Sequence, residues 1–201
     1  MEVVKKFVSK SETRPILKYS YHRADGNIIA TDSHRLIQVG EIHGFKEDYL
    51  VDPKSFMFAK GEYPDVEKIN DKEKHTKSIT LSKDQIKLWL QIFKSINQTM
   101  EVMKNVSSFN KVVVLKVKHN KVEVELKNFD LKMSLPCETL NIPENFEQIA
   151  FSVEYMRDAL EAHFKLNSSS LNIYFKGSMV PMILDDEKKL QTLILPVRLY
   201  D

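Results

Sequence analysis

The chain has 201 residues, 42% of them hydrophobic, and its 30 basic and 28 acidic side chains leave a formal net charge of only +2. That apolar content supplies one large core or two small ones, the near-cancelled charge means that a nucleic-acid partner has to be met by a local patch, and a lone cysteine, Cys137, excludes both an intrachain disulfide and a thiolate zinc cage. No apolar run approaches the roughly 18 to 20 residues of a membrane helix, and Met1-Glu2-Val3-Val4-Lys5-Lys6 lacks the apolar stretch of a secretory signal, so a cytoplasmic protein without a membrane partner is expected.

Taken in chain order, the patterning predicts strands at Val3 to Val8, Ile16 to His22, Asn27 to Thr31 and Leu36 to Glu41, with Asp25-Gly26 as a hairpin turn. Asp52-Pro53 reads as an N-cap followed by proline at the first position of a short helix. Residues 68 to 77 are polar, charged and without apolar periodicity, which marks a linker and divides the chain into residues 1–73 and 74–201.

Beyond the linker one pattern occurs twice. Ser78 to Leu81 is a short strand, and Ser82-Lys83-Asp84-Gln85 has the form of a capping box ahead of Ile86, Trp89, Phe93 and Ile96 at helical spacing. Strands follow at Val112 to Lys118, Val122 to Lys127 and Leu131 to Leu135, with His119-Asn120 as a tight hairpin. The second pass runs from a strand at Gln148 to Phe151, through a helix capped by Ser152 and running from Val153 to about Phe164, to strands at Leu171 to Phe175, Met179 to Leu184 and Leu190 to Leu195. Two βαβββ units define an α+β fold in which helices pack side by side under joined antiparallel sheets.

Two segments carry the functional signal. Ala30-Thr31-Asp32-Ser33-His34-Arg35-Leu36 and Leu193-Ile194-Leu195-Pro196-Val197-Arg198-Leu199 each offer an apolar rim with an arginine, and the first adds a histidine. These are groups that grip a peptide. Asp32, Ser33 and His34 are adjacent in sequence and therefore point in different directions, which is unsuited to a nucleophile relay, so no enzyme activity is expected. His22, His43, His75, His119 and His163 have no partner at ligand spacing and the chain has only five glycines, so neither a metal, a phosphate loop nor a cofactor is expected.

These residues resemble the bacterial DNA polymerase sliding clamp, the β subunit of the replicative polymerase. That family carries A-T-D-G-H-R-L in its middle domain and ends in M-P-M-R-L or M-P-V-R-L, matched here by Ala30 to Leu36 and Leu195 to Leu199. Arg14-Pro15-Ile16-Leu17, Gly61-Glu62-Tyr63-Pro64-Asp65 and Phe151-Ser152-Val153-Glu154-Tyr155 fall in family order as well. The resemblance covers nearly the whole chain and implies a DNA-clamp fold with one truncated and one complete clamp-like domain. Family members have three domains and close as a head-to-tail dimeric ring around duplex DNA; here the first domain has no counterpart, so a ring would need another contact or subunit count.

The resemblance further implies a peptide pocket between the domains, serving DNA polymerase and clamp-loader subunits. The first domain would supply Arg14, Leu17, Thr31, Ser33, His34, Arg35 and Leu36, and the connection Pro64, Lys68 and Ile69. The second would add Tyr155, Met179, Pro181, Leu193, Leu195, Pro196, Val197, Arg198 and Leu199. Ser33 replaces the family's usual glycine, Lys68 stands where arginine is common, and Tyr200-Asp201 extend past the usual last leucine.

Family helices also turn positive charge toward DNA. Lys83, Lys87 and Lys94 fall within about 40° of one another on the first helix, and Arg157 lies on the second among Glu154, Asp158 and Glu161, acidic groups that would oppose DNA. The expected function is a clamp-like processivity factor, associating with itself or with a full-length clamp. The alternative is a decoy or regulator of clamp partners, of phage or mobile-element type, that keeps the pocket and does not bind DNA.

Overall fold

The computed structural model describes residues 1–66, 77–104, 111–118, 121–126, 129–142 and 148–199. The expected strand at Val3 to Val8 is instead a 3-10 turn, Val4–Lys6, closed by Lys6 N–H to Val3 O and Phe7 N–H to Val4 O. Its buried residues, Val3, Val4, Phe7 and Val8, repeat with helical rather than alternating spacing, so the β-branched composition was the misleading signal. Pro15–Lys18 likewise forms a 3-10 turn where a strand was expected to begin, with Pro15 at its first position, and β1 starts only at Ser20 and ends at His22. β2 (Ile28–Thr31) and β3 (Arg35–Val39) follow as expected.

No helix follows Asp52. Its carboxylate accepts the Lys54 N–H and the Ser55 hydroxyl at 2.8 and 2.7 Å, folding one tight turn that passes through Phe56 at φ 60° and joins β4 (Tyr49–Val51) to β5 (Phe58–Ala59). The expected boundary at 73/74 and the His119-Asn120 hairpin lie outside the described residues.

The repeated unit is present twice. The first comprises β6 (Lys77–Ser82), α1 (Lys83–Lys104), β7 (Val112–Lys118), β8 (Lys121–Leu126) and β9 (Leu131–Leu135), followed by an unforeseen β10 (Thr139–Asn141). The second comprises β11 (Gln148–Ser152), α2 (Val153–Lys165), β12 (Ser170–Phe175), β13 (Met182–Asp185) and β14 (Leu190–Ile194). The capping box at α1 forms in both directions, Ser82 N–H to Gln85 Oε1 and Gln85 N–H to Ser82 Oγ. Ser152 occupies the N-cap position of α2, but its side chain makes no capping bond.

Each unit lends its first strand to the other's sheet, since β6 pairs with β12 while β11 pairs with β7. The result is a four-stranded sheet, β11-β7-β8-β9, and a ten-stranded sheet, β10-β6-β12-β13-β14-β3-β2-β1-β4-β5. α1 and α2 pack side by side, and Trp89, Phe93, Met156 and Leu160 share one core with residues of both sheets, Phe151, Leu115 and Phe175 among them. The Trp89 indole N–H is satisfied by the Pro136 carbonyl at 2.8 Å. No helix among the described residues is long and apolar enough to cross a membrane.

Two buried histidines make the fold sensitive to acid. His163, fully buried at the end of α2, faces the Ser168 hydroxyl at 3.1 Å, and that hydroxyl donates to Asp186 at 2.9 Å. Burial pushes His163 down to about 4, while burial and the neighbouring His43 do the same for His22. Neutral imidazole is therefore favoured by folding, so this stabilisation is complete above the unfolded value of 6.5 and is lost as pH falls from there toward 4. Urea unfolding is expected to lose about 2 kcal/mol per histidine between pH 7 and pH 5; an unchanged midpoint would contradict this.

Candidate functional site

The site begins in the turn between β2 and β3. Asp32 Oδ1 accepts the N–H groups of His34 and Arg35 at 2.9 and 3.0 Å, and the Thr31 hydroxyl donates to the Arg35 carbonyl at 2.7 Å. Ser33 is thereby held at φ 79°, the left-handed region that glycine enters without strain. From this turn β3 runs antiparallel to β14, with Arg35 opposite Ile194 and Leu36 opposite Leu193, and the Leu195 N–H continues the ladder to the His34 carbonyl at 2.9 Å. The two segments singled out in the sequence are thus adjacent strands of one sheet.

Alternation along β3 separates its side chains. Ile37 and Val39 turn to one face, against Val4, Phe7, Ala162 and Leu190, whereas Leu36 turns to the other with Ile29, Val66, Ile183 and Leu193. On that second face lies a cavity of about 520 Å³. Its apolar walls come from Ile16, Leu17, Leu36, Pro64, Val66, Leu193 and Leu195; Arg14, Thr31, Ser33, His34 and Asp65 add polar residues, and Arg35 also borders it. Tyr63 anchors the segment that crosses it: its ring stacks on Tyr21 at 5.3 Å and its hydroxyl accepts the Thr31 N–H at 3.1 Å. Burial raises the Tyr63 hydroxyl far above its ordinary range, keeping it neutral. Gly61 permits the close approach, because a Cβ there would stand 2.8 Å from Ile16 Cδ1.

Arg35 does something other than grip a ligand. Its guanidinium, 6% exposed, points with Ile37 away from the pocket face and donates to Asp32 at 3.0 Å, to Asp158 of α2 at 2.6 Å and to the Lys6 carbonyl at 2.6 Å. It also stands 4.6 Å from the Tyr155 ring centroid and 5.3 Å from that of Phe7. Asp158, 2% exposed, accepts Lys6 and Arg157 on its other oxygen at 3.2 and 2.8 Å. Two residues of the acidic face of α2, read in the sequence as opposed to DNA, are therefore docked on Lys6 of the N-terminal turn, Asp158 and Glu161, while Glu154 pairs with Arg157. Burial alone would raise Glu161, but hydrogen bonds from Lys6 and Lys165 outweigh it and hold the carboxyl down to about 2.

The remaining expected residues divide as follows. Tyr155 is half-buried with its ring 6.3 Å from that of His34, just outside the cavity lining. Met179 is exposed in the turn before β13, and Pro181 immediately precedes that strand; neither lines the cavity. Nor do Pro196, Val197, Arg198 and Leu199, because after Leu195 the chain leaves the β3 ladder and the Val197 N–H bonds the Ala150 carbonyl of β11 at 2.8 Å. Lys68 and Ile69 lie outside the described residues. Ile16, Asp65 and Val66 were missed as lining residues, although each adjoins or belongs to a segment already picked out. Among the DNA-facing candidates Lys83, Lys87 and Lys94 are exposed along α1, Lys94 standing 3.9 Å from Glu161 of α2, whereas Arg157 is engaged by its neighbour Asp158 and by Glu154 one turn earlier.

Neither a family model nor a curated protein matches the sequence. Solved structures do match the fold. The DNA polymerase sliding clamp of Bacillus subtilis superposes with a TM-score of 0.74 at 21% identity, covering 98% of this chain and 60% of that one. The β subunit of Streptococcus pyogenes DNA polymerase gives 0.70 at 19%, covering 98% and 62%. The Helicobacter pylori β clamp bound to a DNA ligase peptide gives 0.68 at 17%, again covering 98% and 62%. The chain has the sliding-clamp fold and spans about 60% of the length of the clamps it matches.

Removing one partner of a buried ion pair leaves the other charged and unsolvated. Asp158→Ala is therefore expected to lower unfolding stability by about 3–5 kcal/mol, measured by urea denaturation at pH 7. A loss below about 1 kcal/mol, the size of an exposed pair, would show that Asp158 does not hold the two halves together.

Proposed function

We propose that the chain is a sliding-clamp-like processivity factor, without enzymatic activity, that takes short linear peptides of a DNA polymerase and its loader into the cavity beside the β3–β14 junction. In this reading residues 1–73 are a truncated clamp-like domain and residues 74–201 a complete one. The observation that carries it is the cavity itself: about 520 Å³, walled by leucines, isoleucine, valine and proline from both halves, with a few polar groups at its rim. The solved Helicobacter pylori clamp with a DNA ligase peptide supports the same mode of use.

Beyond the cavity the proposed peptide path continues over His34 and Tyr155 toward Pro196, Val197, Arg198 and Leu199, with Met179 and Pro181 at its margin and Lys68 and Ile69 at the connection. Lys83, Lys87 and Lys94 are the proposed contacts to duplex DNA, in an assembly with further copies of the chain or with a full-length clamp.

Two Ser/His/Asp groupings argue against catalysis. Asp32 is bound to the backbone N–H groups of His34 and Arg35 and to the Arg35 guanidinium, not to the His34 ring. Ser168 is buried and donates its proton to Asp186 rather than to His163, the reverse of an activated nucleophile.

A fluorescein-labelled Q-x-x-L-F peptide is expected to bind with micromolar affinity, as a short segment that orders on binding does. Leu36→Asp and Leu193→Asp each place a charge in the apolar wall and are expected to weaken it by tenfold or more, a loss above about 1.4 kcal/mol. Absence of binding at about 1 mM peptide, roughly −4 kcal/mol, would overturn the proposal. For DNA, changing Lys83, Lys87 and Lys94 together to glutamate should abolish salt-sensitive retention on nicked circular DNA; undiminished retention would exclude this face of α1.

A further inference from the structure

The ten-stranded sheet ends in β10 on one side and β5 on the other, and among the described residues neither has an outer neighbour. Such an edge carries a row of backbone groups able to pair with another chain. At the β5 edge three consecutive apolar side chains are exposed, Phe56, Met57 and Phe58, at 59%, 68% and 59%. At the other edge Leu140 of β10 is half-buried against the core, between the exposed Thr139 and Asn141.

Strand direction, face and charge make these two edges fit each other. Every neighbouring pair in the ten-stranded sheet is antiparallel, so its first and last strands run in opposite directions. A second copy in the same orientation therefore brings its β10 antiparallel to β5. Opposed residues followed across the ladders from Leu140 through Ile79 and Ile37 to Phe58 stay on one face, the face that packs on α1 and α2. A register that keeps this face sets Phe58 opposite Leu140 and, two residues along each strand, Lys60 opposite Glu138. Lys60 and Glu138 are exposed, and neither has an ion-pair partner among the described residues. Like edges do not complement each other in this way: β5 against β5 sets Lys60 against an apolar side chain or a second Lys60, and β10 against β10 does the same to Glu138.

We propose that β5 of one copy pairs with β10 of a second copy, Phe58 against Leu140 and Lys60 against Glu138, so that the ten-stranded sheet continues from chain to chain. The contact joins two different surfaces, so it repeats, and it closes into a ring where the rotation per copy divides a full turn. It gives the self-assembly named under the proposed function a specific contact, but it rests on the sheet edges alone. None of the four residues lines the peptide cavity, so capture of a peptide by a single chain does not depend on it.

The test is sedimentation equilibrium of the full chain at low salt, without peptide or DNA. The wild type is expected to show an average mass above that of one chain that rises with concentration. Lys60→Glu meets Glu138 of the next copy and Glu138→Lys meets its Lys60, so each variant alone should associate about three- to tenfold more weakly, with the loss shrinking at high salt. An equimolar mixture restores opposite charges at every junction between unlike copies and should recover association to within about twofold of the wild type. A misfolded variant could not do so, and a contact between like edges would respond to only one of the two substitutions. Phe58→Asp should weaken association by about tenfold or more. A chain that stays monomeric up to about 1 mM overturns the inference. So does association unmoved by either charge reversal or by Phe58→Asp, and so does a mixture that associates no better than the single variants. Titration of the same variants with the labelled peptide reads the cavity separately: peptide binding retained without association overturns this inference alone, whereas association without peptide binding overturns the proposed function and leaves the edge contact standing.

Discussion

The Arg35–Asp158 pair is the contact on which the remaining geometry depends. It joins β3 to α2, and through Lys6, Asp32, Phe7 and Tyr155 it draws the N-terminal turn and the β2–β3 turn to the same point. A buried ion pair adds little net stability over an apolar replacement, but it tolerates only one arrangement of its partners. With Arg35 fixed on one face of the sheet, the pleat turns Leu36 to the other, and Leu193 opposite it completes the wall of the cavity. The pocket is in this sense the reverse side of a structural ion cluster.

Sheet continuity does the rest. β14 ends the second repeated unit and β3 belongs to the first half of the chain, yet their ladder runs from Leu190 and Val39 to Ile194 and Arg35 without a break. A cavity built beside that ladder draws its walls from both halves, which is what a site for an extended peptide requires if it is to be formed by folding rather than by the ligand. Lys83, Lys87 and Lys94 lie on the exposed face of α1. In the proposed function, peptide capture and DNA contact would fall to separate elements of one frame.

Much of this was legible in the sequence where local pattern and tertiary demand agree. Both helices, the capping box at Ser82 and Gln85, and the strands of each βαβββ unit follow from periodicity, and the two segments singled out for their resemblance to clamp segments, Ala30 to Leu36 and the C-terminal strand, prove to be neighbours in one sheet. The failures have physical reasons. Val3, Val4, Phe7 and Val8 are β-formers by composition, but their spacing buries them as a turn. Asp52-Pro53 closes a hairpin because the Asp52 carboxylate satisfies the turn locally, and β4 and β5, of three and two residues, are too short to show a pattern. Arg35 and Arg157 read as available cations because a sequence does not show that Asp158 lies between them. Alternation along β3 could have separated Arg35 from Leu36; nothing local could have placed Lys6 beside α2.

The most direct measurement of the central claim is hydrogen–deuterium exchange of the full chain with and without a saturating Q-x-x-L-F peptide. The account predicts added protection in three separated stretches, around Leu17, from Thr31 to Leu36 and from Leu193 to Leu195, with little change along the outer face of α1. Protection confined to α1 or to the β4–β5 edge, or no change at saturation, would contradict it.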